Sequence, residues 1–387
     1  MLSAFRDILY ASTAVAHYYK DHGLLPSRKE DDGTREMTVA LLCSSSLDFA
    51  VTLFAAMRMG LAVLLIACVF NLSFEIYKSN RSVLSPQCTP IAVAHLCKST
   101  NVTHLIHHSS YTNLATEAQT LMPEVVLVPL APTDTWTFSS ETVPLPYPTI
   151  LTPQAESSTC CFIYHSSGTS SGLPKPLPQT HHTMTVLHPS LPGARAALST
   201  TPLYHGGLAD LVRALTSHVM LWLFPSADAP LTKANIMSTI EACSQYAEQE
   251  TDEQKKRHLK IGYLSCVPYI LEMLVGDELA AQPASGPSLD FLRGLDMLGV
   301  GGAPLPNLLG DALVDKGVRL VSRYGSAECG FLMSSVREFA NDKYWNYLRS
   351  HRNGGWLEFE QQDESDVGDV VAELVVKDGW PCMVRFL

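Results

Sequence analysis

Ile163-Tyr-His-Ser-Ser-Gly-Thr-Ser-Ser-Gly-Leu-Pro-Lys-Pro176 places hydroxyls, two glycines and a lysine in one stretch, directly after an apolar run. Residues 160–164 read as a short buried strand. Ser166, Ser167, Thr169, Ser170 and Ser171 then supply hydroxyls, while Gly168 and Gly172 allow close approach to backbone N–H groups, a combination suited to phosphate oxygens. Lys175 adds a mobile positive charge. Other patterns compete for the same residues. Gly168-Thr-Ser-Ser-Gly172 matches a hydrolase nucleophile elbow with Ser170 as nucleophile, but such an elbow turns straight into a helix. Pro174, Pro176 and Pro178 oppose that helix. A phosphate loop of the Gly-Lys-Ser/Thr type also needs a helix after it, whereas Lys175 stands between two prolines. A polar surface linker remains the plain alternative.

Ser166-Ser-Gly-Thr-Ser-Ser-Gly-Leu-Pro-Lys175 resembles the signature loop of the adenylate-forming superfamily (acyl-CoA ligases, luciferases, peptide-synthetase adenylation domains), with one serine more than the commonest form. Together with His165 and the adjoining Pro176-Leu-Pro-Gln-Thr-His181, it is most similar to the adenylation domain of fungal peptide-synthetase-like reductases. The resemblance implies that His165, Ser166, Ser167, Gly168, Thr169, Ser170, Ser171, Gly172 and Lys175 clasp the phosphates of ATP, with Lys175 also assisting catalysis.

Further candidates fall at strand ends. Residues 295–300 read as a strand, Gly301-Gly-Ala-Pro304 as a loop, 305–316 as a helix with Leu305, Leu308, Leu309, Ala312 and Leu313 on its apolar side, and 318–322 as a second strand. A strand–helix–strand unit of this length is a parallel crossover, which brings Gly301-Gly302 and Tyr324-Gly325 to one edge of a sheet. Ligands bind at that edge in open α/β sheets. Gly301, Gly302 and Ala303 resemble the family's adenine-side loop, and Tyr324-Gly-Ser-Ala-Glu328 resembles its Y-G-x-T-E motif. The likeness implies that Tyr324 stacks on adenine, that Gly325 and Ser326 line the nucleotide, and that Glu328 with Thr169 holds Mg²⁺. Ala327 departs from the family, which has a threonine there; Ser326 is the neighbouring hydroxyl. Taken alone, Tyr324 reads as a half-buried aromatic and Glu328 as a solvated charge.

A similar unit runs from residue 198 through Tyr204-His-Gly-Gly207 and a helix over 208–217 into a strand at 218–224. Pro202-Leu-Tyr-His-Gly-Gly207 resembles the family's P-L-x-H motif near the acyl group, which makes His205 a catalytic candidate alongside Glu328; a lone histidine is more often structural than catalytic. His181 and His182 have no evident partner and read as surface residues.

The sequence has 387 residues, 27 Lys and Arg against 38 Asp and Glu, a net charge of −11, and no basic stripe with aromatics, which argues against nucleic acid. Ten cysteines are scattered without metal spacing, and Cys160-Cys161 reads as core, consistent with a reducing, cytoplasmic setting. Arg6 and Asp7 interrupt the opening residues, so no secretory signal is expected, and the sequons at Asn71, Asn80 and Asn101 carry no meaning without that route. The most apolar stretch, 49–70, contains Arg58 and divides into a helix at 47–59, a break at Gly60 and a buried strand at 61–67, preceded by a strand at 37–43. No membrane partner is expected.

The resemblance implies an α/β fold of layered sheets and helices, the large N-terminal part of an adenylate-forming enzyme, with the small C-terminal domain absent. The whole of 1–387 is read as an incomplete AMP-binding domain: a first α/β subdomain at 37–150, a second with the nucleotide loops at 151–340, and the start of a β-rich subdomain at 341–387. Helical residues 4–20 and a charged linker at 29–35 stand where the family has a longer N-terminal region. Residues 68–85 interrupt a strand-to-helix passage and are expected to be an insertion outside the core. Residues 368–376 alternate and resemble the family's Gly-Glu-Leu-Val-Val strand.

The implied chemistry is activation of a small carboxylic acid by MgATP as an acyl-adenylate, within a reductase-type or peptide-synthetase-like enzyme. NADPH and phosphopantetheine would serve only regions beyond these residues. The family's ribose-binding aspartate, hinge arginine and catalytic lysine would also lie beyond them, so the chain is not expected to complete adenylation alone. Lys377 sits too early to replace that lysine. A nucleotide-binding protein without turnover, an acyl-CoA ligase relative and a Ser170 hydrolase are the alternatives.

Overall fold

Thr38–Leu42 (β1) is buried at every position, as a central strand of a parallel sheet must be when helices cover both faces. The computed structural model describes residues 5–24, 37–67, 89–136, 152–166, 173–186, 190–191, 193–226, 228–281, 284–350, 355–364 and 370–381. Helix α1 (Phe5–Asp21) precedes β1. After β1, Ser46 caps α2 (Leu47–Arg58) by accepting from the Phe49 amide, a contact worth about 1 kcal/mol. Gly60 then turns the chain into β2 (Ala62–Leu65), which pairs parallel to β1. Helix α3 (Pro90–Ser99), β3 (Val102–His107), α4 (Thr112–Leu121) and β4 (Val126–Pro129) extend the sheet on the other side of β1.

Short helix α5 (Pro153–Ser157) leads to β5 (Cys160–His165), which pairs parallel to β2, and β6 (Pro176–Thr180) returns antiparallel to it. The strand order is β4-β3-β1-β2-β5-β6. The boundary expected at residue 150 therefore does not divide the sheets. Strands β5 and β6 complete the first sheet, because the proline-bearing segment can occupy an edge, where missing N–H donors leave no partner unsatisfied.

The second sheet comes after α6 (His181–Val186). Strand β7 (Ala196–Ser199), α7 (Gly206–Thr216) and β8 (Leu221–Leu223) form the expected parallel unit. Helices α8 (Lys233–Glu248) and α9 (Glu253–Leu259) lead to β9 (Ile261–Cys266), which pairs on the other side of β7. Then come α10 (Pro268–Ala280), α11 (Pro287–Arg293), β10 (Met297–Val300), α12 (Asn307–Asp315), β11 (Leu320–Ser326), β12 (Gly330–Ser334) and β13 (Arg349–Ser350). The order is β13-β12-β11-β10-β9-β7-β8, parallel from β8 to β11 and antiparallel beyond. Strands β14 (Leu357–Glu364) and β15 (Val370–Val376) form a separate antiparallel pair.

Helices α1 and α2 pack on one face of the first sheet around Tyr19, Phe49, Leu53 and Met59, and α3 and α4 on the other around Val93, Leu96 and Ala118. Helix α7 lies between the sheets. Its Leu208, Leu211, Val212 and Leu215, spaced i, i+3, i+4 and i+7, join the α1–α2 core, leaving Asp210 and Arg213 for the second sheet. The far face of that sheet is covered by α8, α10, α11 and α12. No helix among the described residues is long and apolar enough to cross a membrane. The expected insertion at 68–85 and linker at 29–35 lie outside the described residues.

Candidate functional site

The hydroxyl-rich stretch grows from the β5–β6 hairpin, whose stem is closed by backbone and side chain together. The Ser166 amide donates to the Lys175 carbonyl at 2.9 Å, and the Lys175 amide donates to Ser166 Oγ at 3.1 Å. Ser166 thus fastens the loop ends, while the Lys175 side chain is exposed and makes no ion pair with a described residue. Ser167, Gly168, Thr169, Ser170, Ser171 and Gly172 lie outside the described residues. The chain leaves the loop as strand β6, so the Ser170 elbow lacks the helix its chemistry requires.

His165 ends β5 and is buried. The Ala67 amide donates to its Nε2 at 3.1 Å, so Nε2 carries no proton and Nδ1–H donates to the Ser166 carbonyl at 3.2 Å. Both ring nitrogens are engaged, and His165 braces the loop stem against the end of β2. Burial lowers its pKa, offset in part by the Ser166 carbonyl. Its ring centre lies 5.9 Å from that of His205, which precedes α7. The Tyr164 hydroxyl donates to the His205 carbonyl at 3.3 Å, and the Pro202 carbonyl accepts from both the His205 and Gly207 amides, making the tight entry into the helix. Burial first, and the neighbouring His165 second, push the His205 pKa down to about 4.

Strand β9 lies on one side of β7 and β8 on the other, so the ends of β7 and β9 flank a topological switch point. His205 stands on its β7 side and Val267 on its β9 side. Beside it, β10 ends at Val300, paired with Ser322, and Gly301 and Gly302 leave the sheet next to Arg323 and Tyr324. Gly302 has φ +84°, a conformation that side chains rarely adopt. The expected loop position of Tyr324-Gly325 is corrected: both residues lie within β11, which runs past the parallel register and pairs with β12, with a register shift between them. Tyr324 is 46% exposed, enough to offer a ring face. Ser326 Oγ accepts from the Cys329 amide at 3.1 Å, and Ala303 and Glu328 are exposed, Glu328 without an ion pair to a described residue.

One side chain links the two halves of this arrangement. Buried Gln179 on β6 donates through Nε2 to the Ala327 carbonyl at 2.8 Å, joining the loop hairpin to the turn after Tyr324. Trp380 Nε1 donates to the Cys329 carbonyl at 2.7 Å from the other side. The sequence reading missed Gln179; a lone amide in a proline-rich strand gave no signal beyond its alternation with Leu177, which faces the same way. It also missed the buried Asp210 and Arg213 and the partly buried Arg323, although the first two, charges at i and i+3 in an otherwise apolar helix, were a legible sign. His181 is not unpartnered as expected: its Nε2 lies 4.0 Å from Glu156 Oε1. Lys377 is held by Glu358 at 2.7 Å.

The sequence profile of the family described as AMP-binding enzyme matches residues 22–351. The chain is 26% identical over 371 residues to the adenylate-forming reductase stbB of Stachybotrys bisbyi, covering 89% of this chain and 28% of that protein. It is 27% identical over 393 residues to an adenylate-forming reductase of Aspergillus terreus, covering 98% and 33%. The chain thus spans a third or less of the length of these relatives. Among solved structures, o-succinylbenzoate CoA synthetase (MenE) from Bacillus subtilis, in complex with ATP and magnesium ion, superposes with a TM-score of 0.63 at 15% identity, over 98% of this chain and 66% of that one.

Proposed function

Because the chain belongs to the family of AMP-binding enzymes, we propose that its carboxyl-edge site takes up MgATP beside a small carboxylic acid and activates the acid as an acyl-adenylate, within a parent enzyme of the reductase type. The reaction joins a carboxylate oxygen to the α-phosphorus of ATP and releases pyrophosphate. The observation that carries this reading is the Gln179 bridge, which ties the stem of the hydroxyl loop to the Tyr324 turn.

Each residue takes the role that the resemblance implies. His165 and Ser166 hold the loop stem; the loop hydroxyls, Thr169 among them, and Lys175 receive phosphate oxygens, with the lysine countering charge that builds during attack. Gly301, Gly302 and Ala303 let the adenine ring approach the backbone, and Tyr324 offers its face to it, with Gly325 and Ser326 along the nucleotide. His205 is a neutral ring at pH 7, able to give or accept a hydrogen bond beside the acid without adding charge. Glu328 is a hard oxygen donor, which fits a magnesium ion held by one carboxylate and phosphate oxygens. Magnesium, when bound, screens the phosphate charge that repels an incoming carboxylate.

Nucleotide binding without turnover is the second reading. It is favoured by Ala327, which lacks a hydroxyl where the resemblance expects one, and by Lys377, which is tied to Glu358. ATP–pyrophosphate exchange with a panel of aromatic and aliphatic acids separates the two. Acid-dependent exchange that is lost in Lys175→Ala supports activation; MgATP binding with no exchange for any acid supports the second reading.

A further inference from the structure

Between α7 and the second sheet lies a polar layer that nucleotide binding does not use. Asp210 and Arg213 project from the side of α7 opposite its leucines and meet Ser199 of β7, Tyr263 and Ser265 of β9, and Arg323 of β11. Ser199 Oγ donates to Asp210 Oδ2 at 2.8 Å. Arg323 donates from Nη1 to the Tyr263 hydroxyl at 2.7 Å and to Asp210 Oδ1 at 3.4 Å, and from Nη2 to Ser265 Oγ at 2.6 Å. Arg213 Nη1 donates to the same tyrosine hydroxyl at 2.9 Å and lies 3.6 Å from Asp210 Oδ1.

Two features of this layer are incomplete. Its charge does not balance: two guanidinium groups face one carboxylate, and neither pairs with another acid among the described residues. The side chains of Arg213 and Asp210 are only 4% and 3% exposed, so the surplus cation sits where water cannot readily screen it. The donors do not balance either. Arg213 uses Nη1 alone; its Nε is buried without a partner and its Nη2 makes no hydrogen bond to a described residue. Nε and Nη2 form one edge of the guanidinium, the edge that grips a carboxylate through two parallel N–H···O bonds. Arg323 Nε is likewise buried without a partner.

The layer also lies at the switch point, below His205 on the same helix. Eight residues separate His205 from Arg213, about 12 Å along the helix axis. Arg213 Nη1 reaches back to within 3.6 Å of Asp210 Oδ1, one turn nearer His205 and about 7.5 Å from it along the axis, so an acid whose reacting carboxyl sits beside His205 would meet the guanidinium through a spacer of several carbons or one aromatic ring.

We propose that the unpartnered edge of Arg213 receives a second carboxylate, so that the substrate class of this site is an extended dicarboxylic acid. This rests on the reading of the His205 edge as the acid site. The second carboxylate would supply the missing negative charge and fill the unpartnered N–H pair, with Asp210 and Tyr263 fixing the orientation of the guanidinium.

Isothermal titration of the full chain with hexanoate, adipate, monomethyl adipate, benzoate and terephthalate, each with and without MgATP, tests this. The expected result is at least tenfold tighter binding of adipate over hexanoate and of terephthalate over benzoate, with monomethyl adipate falling back to the hexanoate level. Arg213→Gln should abolish the preference and leave a separate MgATP titration unchanged; should that variant fail to fold, the monomethyl ester removes the same charge from the ligand side. Equal affinity within each pair, or no acid binding under either condition, overturns the proposal even if MgATP binds. A dicarboxylate preference in a chain that ignores MgATP would sink the nucleotide reading and leave the dicarboxylate site standing.

Discussion

His205 is held uncharged by its surroundings, and this makes its contribution to stability depend on pH. Burial and the His165 ring lower its pKa from 6.5 to about 4, and His165 shifts in the same direction. The unfolded chain takes up the proton near pH 6.5, whereas the folded chain refuses it until about pH 4. The stability that His205 contributes is therefore fully present above pH 6.5 and is lost as pH falls from 6.5 to 4. Thermal denaturation followed by circular dichroism should show a shallower decline over that window in His205→Asn than in the parent chain; identical slopes would contradict the assignment. Tyr324 makes a second prediction at this scale. Its ring is half-exposed and, on the proposed reading, offers its face to the nucleotide, so Tyr324→Ala should leave the denaturation midpoint nearly unchanged and weaken MgATP by about 1 kcal/mol, about fivefold.

At the scale of elements, β6 is linked to the β11–β12 turn by the Gln179 amide. Removing it in Gln179→Leu takes the donor from the Ala327 carbonyl, which lies on an exposed residue, at a cost of about 0.5–1.5 kcal/mol, and should weaken MgATP in a chain whose near-ultraviolet dichroism is still native. Unchanged affinity in that folded variant would detach the loop hairpin from the Tyr324 turn. Helix α12 offers a test of packing against propensity. Alanine at Gly310 would ordinarily favour a helix by about 1 kcal/mol, but its Cβ would lie 2.1 Å from Trp345 Cζ2. Trp345 is anchored there by Asp311 Oδ1 at 2.8 Å and cannot retreat freely. Gly310→Ala should thus lower stability by about 1–3 kcal/mol in urea denaturation, and a gain would show that the ring moves aside. The units built on period and punctuation were legible in advance: β1–α2–β2 from its apolar strands and Gly60, and β10–α12–β11 from Leu305, Leu309 and Leu313 ended by Gly317. Leu308, expected on the same apolar side, is instead 88% exposed, because it stands in the first turn of α12 off the face that carries Leu309 and Leu313. The extension of β11 through Tyr324 and Gly325 was not, because it is imposed by antiparallel pairing with β12, a partner that no local pattern announces.

Across the whole molecule, two parallel-centred sheets share helix α7, and the candidate site lies where the loops of both sheets meet. The placement of the three motifs at strand ends was readable from the residues, since each comes after an apolar run that had to be a strand, while their assignment as nucleotide motifs came from the resemblance. The assignment of β5 and β6 to the first sheet was not, because a sequence shows where a strand lies but not which edge it joins. Nor was the charged layer around Arg213, whose residues come from four separated segments and acquire meaning only in contact. The claim that unites these observations is that the hydroxyl loop and Lys175 form the phosphate site of a nucleotide. Isothermal titration of MgATP into the 387-residue chain and its Lys175→Ala variant tests it most directly, because Lys175 is exposed and its loss should leave the fold intact. The account predicts saturable binding to the parent chain and clearly weaker binding to the variant. A folded parent chain that gives no heat of binding, or a variant that binds MgATP as tightly as the parent, would contradict it.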